Sequence, residues 1–236
     1  MPQIAHQISQ DIGVKPARQK RSQERLELMV KVGTKLIESK GYDGMRITEI
    51  TAGAGCSVGI FYERFKDKET FFNYIIENNK QRIALQSEAN FAELEKLDLP
   101  ANKIIYQVAK GSTQWFMRHK GLYCAALASP LSNGKDYAPF RSQVAVISQH
   151  LVKALQKRST EISCANLDSG VSFAIQMLYG TLVLGAFSDN NQPTSGGVKG
   201  YGVSLTDPDL VPNLAHAMCS YLGIQNTLIN TRIMNA

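Results

Sequence analysis

Apolar side chains recur at helical intervals along most of the chain. In residues 22–41, for example, Leu26, Met29, Gly33 and Ile37 fall three or four positions apart and therefore share one face of a helix. No alternation of apolar and polar residues bounded by turn residues is long enough to predict a sheet. The pattern predicts an all-α fold.

The same pattern gives the order and approximate limits of the helices. The first helix is expected to end at Gly41, because glycine commonly follows a helix C-terminus. The later helices are predicted at about 47–54, 58–65, 67 to beyond 85, 102–119, 121–131, 140–160, 168–187 and 208–222. Residues 132–139 and 188–208 are predicted loops, and the second, rich in Gly, Pro and Asn, is expected to be poorly ordered.

Residues 47–65 have the components of a helix-turn-helix, with a longer supporting helix before them. Gly55 lies in the tight turn, and the Ser57 hydroxyl is placed to cap the second short helix. An α-helix fits the DNA major groove, where residues near its N-terminus meet base edges. Four side chains are predicted to pack inward, namely Ile50, Ala54, Phe61 and Phe65.

The run ITEITAGAGCSVGIFYERFKDKETFF, residues 47–72, resembles the DNA-binding domain of TetR/AcrR-type transcriptional regulators. The resemblance extends over about residues 22–80. The positions that match in order and spacing are Ile50, Ala54, Gly55, Ser57, Gly59, Tyr62, Phe65, Lys68, Phe71 and Phe72.

This resemblance implies a set of DNA contacts around the second short helix. It implies phosphate contacts for Ser57, Tyr62 and Lys68, whose hydroxyl and ammonium groups suit phosphate oxygens. It implies that residues 58–60 lie closest to the bases, and because their side chains form no hydrogen bonds, thymine methyls, backbone contacts and DNA shape are the expected sources of specificity. The predicted DNA-binding residues are Arg46, Thr48, Ser57, Val58, Gly59, Ile60, Tyr62, Arg64 and Lys68.

Three positions depart from the residues usual in that family. Arg64 stands where a histidine is common, Arg46 stands where a Thr or Ser usually starts the second helix of the domain, and Cys56 replaces an aliphatic residue in the turn. Both arginines retain affinity for phosphate. Arg46, however, cannot cap a helix as a hydroxyl does.

Basic charge is concentrated towards the N-terminus. The 236-residue chain has 26 Lys+Arg and 20 Asp+Glu, a net charge of +6, and half of this excess lies in residues 1–70. The distribution favours a polyanionic partner, although an ordinary basic surface gives the same count. The basic arm is expected to follow the DNA backbone or minor groove, or else to be a solvated tail; its cations are Lys15, Arg18, Lys20, Arg21 and Arg25.

The charge and helix pattern together predict three regions. Residues 1–21 form the arm, residues 22–70 the DNA-binding domain, and residues 71–236 a helical domain, for which the resemblance implies effector binding and dimerisation.

Composition disfavours several other classes of protein. The 44% of hydrophobic residues is enough for one or two globular cores, and the four dispersed cysteines contain no C-x-x-C pair that would indicate zinc or a disulfide framework. The histidines lack metal-ligand spacing, so neither a metal nor a cofactor is predicted. Residues 1–16 lack the apolar core of a secretory signal, and a reducing cytoplasm is the simplest compartment.

The uncharged stretch 169–188 requires a membrane test. It contains three glycines and has no flanking basic residues, so it is interpreted as a helix buried in protein, and no membrane partner is predicted.

Two other motifs compete with the DNA-binding interpretation. Residues 55–59 match G-x-S-x-G, the nucleophile elbow of a serine hydrolase that would use Ser57, but that elbow requires a strand directly before the serine. Cys56 beside a helix N-terminus would be a redox sensor if its thiol pKa were lowered; the alternative is a small residue that fills the turn.

The resemblance is only architectural beyond about residue 80. In such regulators a helical C-terminal domain dimerises and holds a small-molecule pocket, which here implies dimerisation through helices 168–187 and 208–222. The long helix from Asp67 is the expected lever between effector and DNA. The effector pocket is sought, against the alternative of plain core packing, among Tyr106, Trp115, Phe116, His119, Tyr123, Cys124, Phe140, His150, Phe173 and Met177.

Together these features predict a homodimeric repressor that binds a palindromic operator in double-stranded DNA and is released by an unknown small-molecule effector. A ligand-independent dimeric regulator or activator is the alternative, and the serine hydrolase is the third interpretation.

Overall fold

The computed structural model describes residues 20–128, 138–188 and 203–225, and every regular element among them is helical. Nine α-helices are described there: α1 Lys20–Gly44, α2 Ile47–Gly53, α3 Val58–Arg64, α4 Lys68–Lys96, α5 Ala101–Arg118, α6 Lys120–Ala128, α7 Ala138–Gln156, α8 Leu167–Ser188 and α9 Leu210–Leu222. A short 3₁₀ turn, Ser159–Glu161, follows α7. The predicted all-α fold is confirmed.

The predicted end of the first helix at Gly41 is only partly correct. Gly41 has a φ of 69°, outside the helical range, but the chain resumes a helical turn and α1 continues to Gly44. The glycine therefore kinks the helix near its end. Further on, the domain boundary predicted after residue 70 falls inside α4.

The described helices pack as two compact units, each of which is built from two separate stretches of the chain. Unit 1 comprises the described parts of residues 1–84 and 119–140, and unit 2 those of 85–118 and 141–236. Each unit therefore contains segments that are distant in sequence.

Unit 1 is built around an aromatic cluster. Phe61 lies in α3, Phe65 is the C-cap residue that follows it, and Phe71 and Tyr74 come from the start of α4; each is at most 2% exposed. The Phe61 ring centroid lies 5.3 Å from those of both Phe65 and Phe71, and the Phe65 and Phe71 centroids are 4.9 Å apart. These edge-to-face and tilted contacts fix α3 against α4. The predicted inward residues Ile50 and Ala54 are buried in the same core.

The helix α6 also belongs to unit 1, where it packs on α1. Leu122 and Ala125 are buried in the core of unit 1. The Glu38 carboxylate of α1 accepts hydrogen bonds from the backbone N–H groups of Gly121 at 2.6 Å and Leu122 at 3.2 Å, and so caps the N-terminus of α6. Burial raises the pKa of Glu38, while these two hydrogen bonds oppose the increase.

The approach of α6 to α1 is close enough to require glycine. A Cβ atom at position 121 would lie 2.6 Å from Glu38 Cα and 2.9 Å from the Glu38 carbonyl oxygen. Both are backbone atoms, so they cannot move aside as a flexible side chain would.

Unit 2 is a second helical core in which α9 packs against α5 and α8. Its buried aliphatic residues include Ile104, Ile105, Leu151, Leu155, Ile175, Leu178, Leu214 and Met218. Among the described helices, Leu167–Ala186 alone is long and apolar enough to cross a membrane by length and composition, and half of that stretch is buried within the protein. Core helices of globular proteins have the same composition.

Candidate nucleic-acid interface

The helices α2 and α3 are joined by a short turn whose geometry follows from its sequence. Gly55 has a φ of 63°, a left-handed conformation that favours glycine. Ser57 is extended, and its Oγ accepts a hydrogen bond from the Ile60 N–H at 3.4 Å, so it caps α3 as predicted. The turn and cap together orient the first residues of α3.

The helix α3 has one buried face and one open face. Phe61 is fully buried, whereas Val58 is 39% and Tyr62 53% exposed. Gly59 is exposed and Ile60 is partly exposed. The residues predicted to face DNA are therefore presented on a helix that is anchored from behind.

Two further predicted contacts lie at the start of α2. Arg46 and Thr48 are both exposed. Arg46 occupies the N-cap position with no side-chain cap hydrogen bond, as its chemistry predicts. The Arg46 guanidinium is therefore on the surface at the start of α2.

Arg64 occupies a different position from the other predicted contacts. Its guanidinium is half buried, and Nη2 donates a hydrogen bond to the Ser22 hydroxyl of α1 at 2.6 Å. Burial lowers the pKa of Arg64, with Arg25 adding to the effect and Tyr74 opposing it. Arg64 therefore links the end of α3 to the start of α1.

Lys68 lies at the first turn of α4, and its ammonium is held at two points. Nζ donates to the Asp43 carbonyl oxygen at 3.3 Å and lies 4.4 Å from the centroid of the Tyr42 ring. Asp67, immediately before it, caps α4 by accepting from the Thr70 N–H at 2.7 Å and the Thr70 hydroxyl at 2.8 Å. Asp67 is therefore the N-cap residue of α4, which begins where the sequence predicts.

Comparison with known families identifies this arrangement. Residues 30–75 match the family model described as bacterial regulatory proteins, tetR family. This segment is therefore similar to the tetR family of bacterial regulatory proteins. The matched segment runs from within α1 to within α4 and includes the whole helix-turn-helix.

Several solved structures resemble most of the chain in fold. A protein from Mesorhizobium loti assigned to the TetR family of transcriptional regulators has a TM-score of 0.66 and 19% identity, covering 87% of this chain and 98% of that one. The transcriptional regulator FadR from Bacillus subtilis, in complex with stearoyl-CoA, has a TM-score of 0.56 and 17% identity over 84% and 99% of the two chains. RolR in complex with resorcinol has a TM-score of 0.53 and 19% identity over 89% and 92%.

At these identities the structural likeness concerns the fold. Among curated protein sequences, none is significantly similar to this chain.

The turn between α2 and α3 lacks the features that a nucleophile elbow at Ser57 and a redox sensor at Cys56 require. The segment before Ser57 contains the helix α2 instead of a strand, so the nucleophile-elbow geometry is absent. Burial raises the pKa of the Cys56 thiol, and Arg25 only partly offsets this. A raised pKa disfavours the reactive thiolate, which agrees with a residue that fills the turn.

The basic arm falls mostly outside the described residues, as do Lys15 and Arg18. Lys20 and Arg21 are exposed in the first turn of α1, and Arg25 is partly exposed. The predicted loop 188–208 also lies largely outside, since residues 189–202 are not described.

The structure divides the predicted effector residues between the two units. His119, Tyr123 and Cys124 belong to unit 1, and the side chain of Phe140 lies outside the described residues. Phe173 is 50% exposed on α8, where its ring centroid lies 4.7 Å from that of Tyr221. The remaining candidates lie in unit 2 and are buried or partly buried: Tyr106, Trp115, Phe116, His150 and Met177.

Unit 2 contains a buried polar cluster that the sequence interpretation missed in part. The Tyr179 hydroxyl of α8 accepts a hydrogen bond from Gln143 Nε2 of α7 at 2.7 Å and is also hydrogen-bonded to Ser112 of α5. Burial raises the pKa of Tyr179 to about 12, and both hydrogen bonds oppose this. Gln143 and Tyr179 stand among apolar residues in sequence, so only the tertiary fold reveals the cluster.

Proposed function

We propose that this chain is a sequence-specific transcriptional regulator: a homodimeric repressor that binds a palindromic operator and is released by a small-molecule effector. The open face of α3 carries the proposal, because it presents Val58, Gly59 and Tyr62 exposed on a helix whose opposite face is anchored by the buried Phe61. A ligand-independent regulator or activator is the alternative, since blocking and recruiting polymerase require the same DNA contacts.

The proposed DNA contacts divide by chemistry. Ser57, Tyr62 and Lys68 bind phosphate oxygens, and the two arginines Arg46 and Arg64 add positive charge at either end of the helix-turn-helix. Val58 and Ile60 contact thymine methyl groups, while Gly59 allows close approach of the backbone to the bases. Thr48 adds a further exposed hydroxyl. In this assignment, phosphate contacts supply most of the affinity and α3 supplies the sequence preference.

Selection of bound sequences from random duplex DNA, at two salt concentrations, tests the assignment. The wild-type protein is expected to enrich a two-fold symmetric sequence with T-rich positions in each half-site. Val58→Ala and Ile60→Ala are each expected to relax the preference at one such position. The loss of base discrimination should not exceed about 1–3 kcal/mol, which is the range for a good bidentate contact with a base. The same preference in both variants would contradict base reading by these side chains, and no enrichment by the wild type would contradict the function.

We assign dimerisation to the exposed face of α8 and α9. Phe173 and Tyr221 form an aromatic pair at 4.7 Å, and each side chain is about half exposed, at 50% and 49%. Exposed aromatic pairs are typical of protein interfaces. A dimer would place two recognition helices about 34 Å apart, one helical turn of DNA, which explains the expected palindrome.

Charge introduced into this pair is expected to separate the dimer. Phe173→Glu would bury a carboxylate in the interface, which is unfavourable unless it is paired, so sedimentation velocity should show a monomer with weaker operator binding. The control is Leu97→Glu, which changes a 63% exposed leucine away from the aromatic pair and should leave the sedimentation unchanged. A Phe173→Glu dimer as stable as the wild type would exclude this face.

We place the effector among the helices of unit 2. The fully buried polar side chains described there, besides Tyr179, are neutral: Asn102, Ser112, Thr113, Gln143 and Ser148. Such groups match hydroxyl or amide groups better than ions, so the buried part of the effector is expected to be uncharged. Two fold neighbours hold organic molecules, stearoyl-CoA and resorcinol. Comparing neutral with anionic compounds for release of operator DNA tests this assignment. Neutral compounds are expected to release the DNA, and anionic compounds are not.

The proposed regulation is a shift between two populations. Suppose that an effector binds more tightly to the form whose recognition helices are wrongly spaced for the operator. It then lowers operator affinity by at most the ratio of its own affinities for the two forms. The helix α4 is continuous from Lys68 to Lys96 and contributes residues to both units, which suits a lever. A cytoplasmic location is part of the proposal, and it is supported by the proposed binding to operator DNA and by the four free cysteines.

A further inference from the structure

The position of Lys68 at the start of α4 is unfavourable for helix stability. The N-terminus of a helix carries partial positive charge, so a lysine there is repelled while acidic side chains are attracted. Asp67 and Glu69 follow that preference and Lys68 does not. A lysine in this place therefore has to be held by other contacts.

Two contacts hold it, and both come from the last residues of α1, just after the kink at Gly41. The Tyr42 ring lies under the ammonium at 4.4 Å, within the range of a cation–π interaction, and the Asp43 carbonyl accepts from Nζ at 3.3 Å. An ammonium group has three N–H donors. The Asp43 carbonyl uses one of them, which leaves two for another acceptor.

Tyr42 is itself fixed by the core of unit 1. Its ring meets that of the buried Phe72 edge to face, with centroids 4.9 Å apart and an interplanar angle of 61°. Phe72 and Lys68 both belong to α4. The Tyr42 ring therefore packs on the same helix that carries the lysine it contacts. The rotational freedom of the lysine side chain is thus restricted on folding, before any ligand arrives.

We propose that Tyr42 is a positioning residue for operator binding, which holds the Lys68 ammonium ready for a DNA phosphate. This inference rests on the proposed function, and it adds a residue that makes no DNA contact of its own. The ring face supplies attraction without neutralising the charge, unlike a carboxylate partner, so the cation keeps its full charge for the phosphate. A flexible lysine would have to be ordered on binding, and affinity would fall accordingly.

A double-mutant cycle measured with the selected operator duplex tests the proposal. The variants are Tyr42→Leu, Lys68→Met and the double variant, with Tyr42→Phe as the control that keeps the ring. Lys68→Met is expected to reduce the slope of log affinity against log salt by about 0.9, the value for one phosphate contact. Tyr42→Leu is expected to weaken binding about 2- to 5-fold in the presence of Lys68 and to have no effect in the Lys68→Met background. Tyr42→Phe should bind as the wild type does.

A second variant keeps the test independent of folding. Replacing Tyr42 by phenylalanine and by a trifluorinated phenylalanine preserves the shape of the ring but weakens the negative potential of its face. Weaker binding by the fluorinated ring alone, at equal thermal stability, supports positioning through the ring face. Equal binding by the two rings overturns it.

The remaining outcomes separate this inference from the function beneath it. A Tyr42→Leu effect of equal size with and without Lys68 would mean that Tyr42 acts only through packing on Phe72, and it would overturn the proposal. An unchanged salt slope in the Lys68→Met protein would mean that Lys68 binds no phosphate, and it would overturn the proposal. If that protein also kept its sequence preference, the regulator function would remain intact. Failure of the wild type to select any sequence would overturn the function itself.

Discussion

Replacing Phe61 by alanine is expected to lower the free energy of unfolding of unit 1 by about 3–5 kcal/mol, the usual cost of truncating a buried phenylalanine. Phe61 is fully buried and its ring contacts those of Phe65 and Phe71. A helix as short as α3, with 7 residues, has little stability of its own, so its attachment depends on this side chain. Operator binding is expected to be lost with the anchored helix.

The measurement should follow unit 1 directly. Trp115, the single tryptophan of the chain, lies in unit 2 and therefore reports on the other core. Amide hydrogen exchange of peptides from α1, α3 and α4 is the suitable readout. The matched control is Tyr62→Ala, the adjacent exposed residue, whose ring meets that of Phe61 edge to face at 5.5 Å. It should lower stability by only about 0.5–1.5 kcal/mol yet weaken DNA binding. Equal protection of α3 in the Phe61→Ala protein and the wild type would refute the anchoring role.

Replacing Gly121 by alanine is expected to destabilise unit 1 by about 1–3 kcal/mol, as overpacking does. The added methyl would meet Glu38 backbone atoms at 2.6 and 2.9 Å, so α6 would have to move away from α1. That movement would also lengthen the hydrogen bonds from Gly121 and Leu122 to the Glu38 carboxylate. Reduced hydrogen-exchange protection in α1 and α6, with a lower thermal midpoint, is the expected result.

Gly111 provides the control for this substitution. It lies within α5, and a Cβ there would meet nothing within 4 Å. Gly111→Ala should therefore raise stability by about 0.5–1 kcal/mol, because alanine favours the helix and restricts the unfolded chain. If the two variants changed stability in the same direction, the close approach of α6 to α1 would not explain the effect at Gly121.

The features that sequence predicts well here are those set by neighbouring residues. Ser57 and Asp67 cap helices that begin one residue later, so their role depends on hydrogen bonds within three positions. The spacing of Ile50, Ala54, Phe61 and Phe65 likewise follows from helical periodicity and predicts the inward face of the helix-turn-helix. The same local rules give the order of the helices and most of their limits.

The features that sequence does not predict join distant residues. Arg64 meets Ser22 across 42 positions and Lys68 meets the Asp43 carbonyl across 25, and neither pairing leaves a periodic signal. The apolar side of α6 predicts burial but not the partner, which proves to be α1. For the effector, single aromatic residues gave candidates in both units, whereas the buried Tyr179 cluster depends on three helices that only the tertiary fold brings together.

The discontinuous composition of unit 1 has a consequence for engineering hybrid regulators. A DNA-binding head transferred as residues 20–80 would leave Leu122 and Ala125, which complete its core, behind in the donor protein. Foreign side chains would then have to fill that site, and the helix that replaces α6 would need a glycine and free backbone N–H groups at its start to meet the Glu38 carboxylate. A graft that transfers residues 119–128 together with the head keeps the hydrogen bonds between Glu38 and the start of α6, and it keeps Gly121. The proposed operator preference is therefore portable only when both segments are transferred.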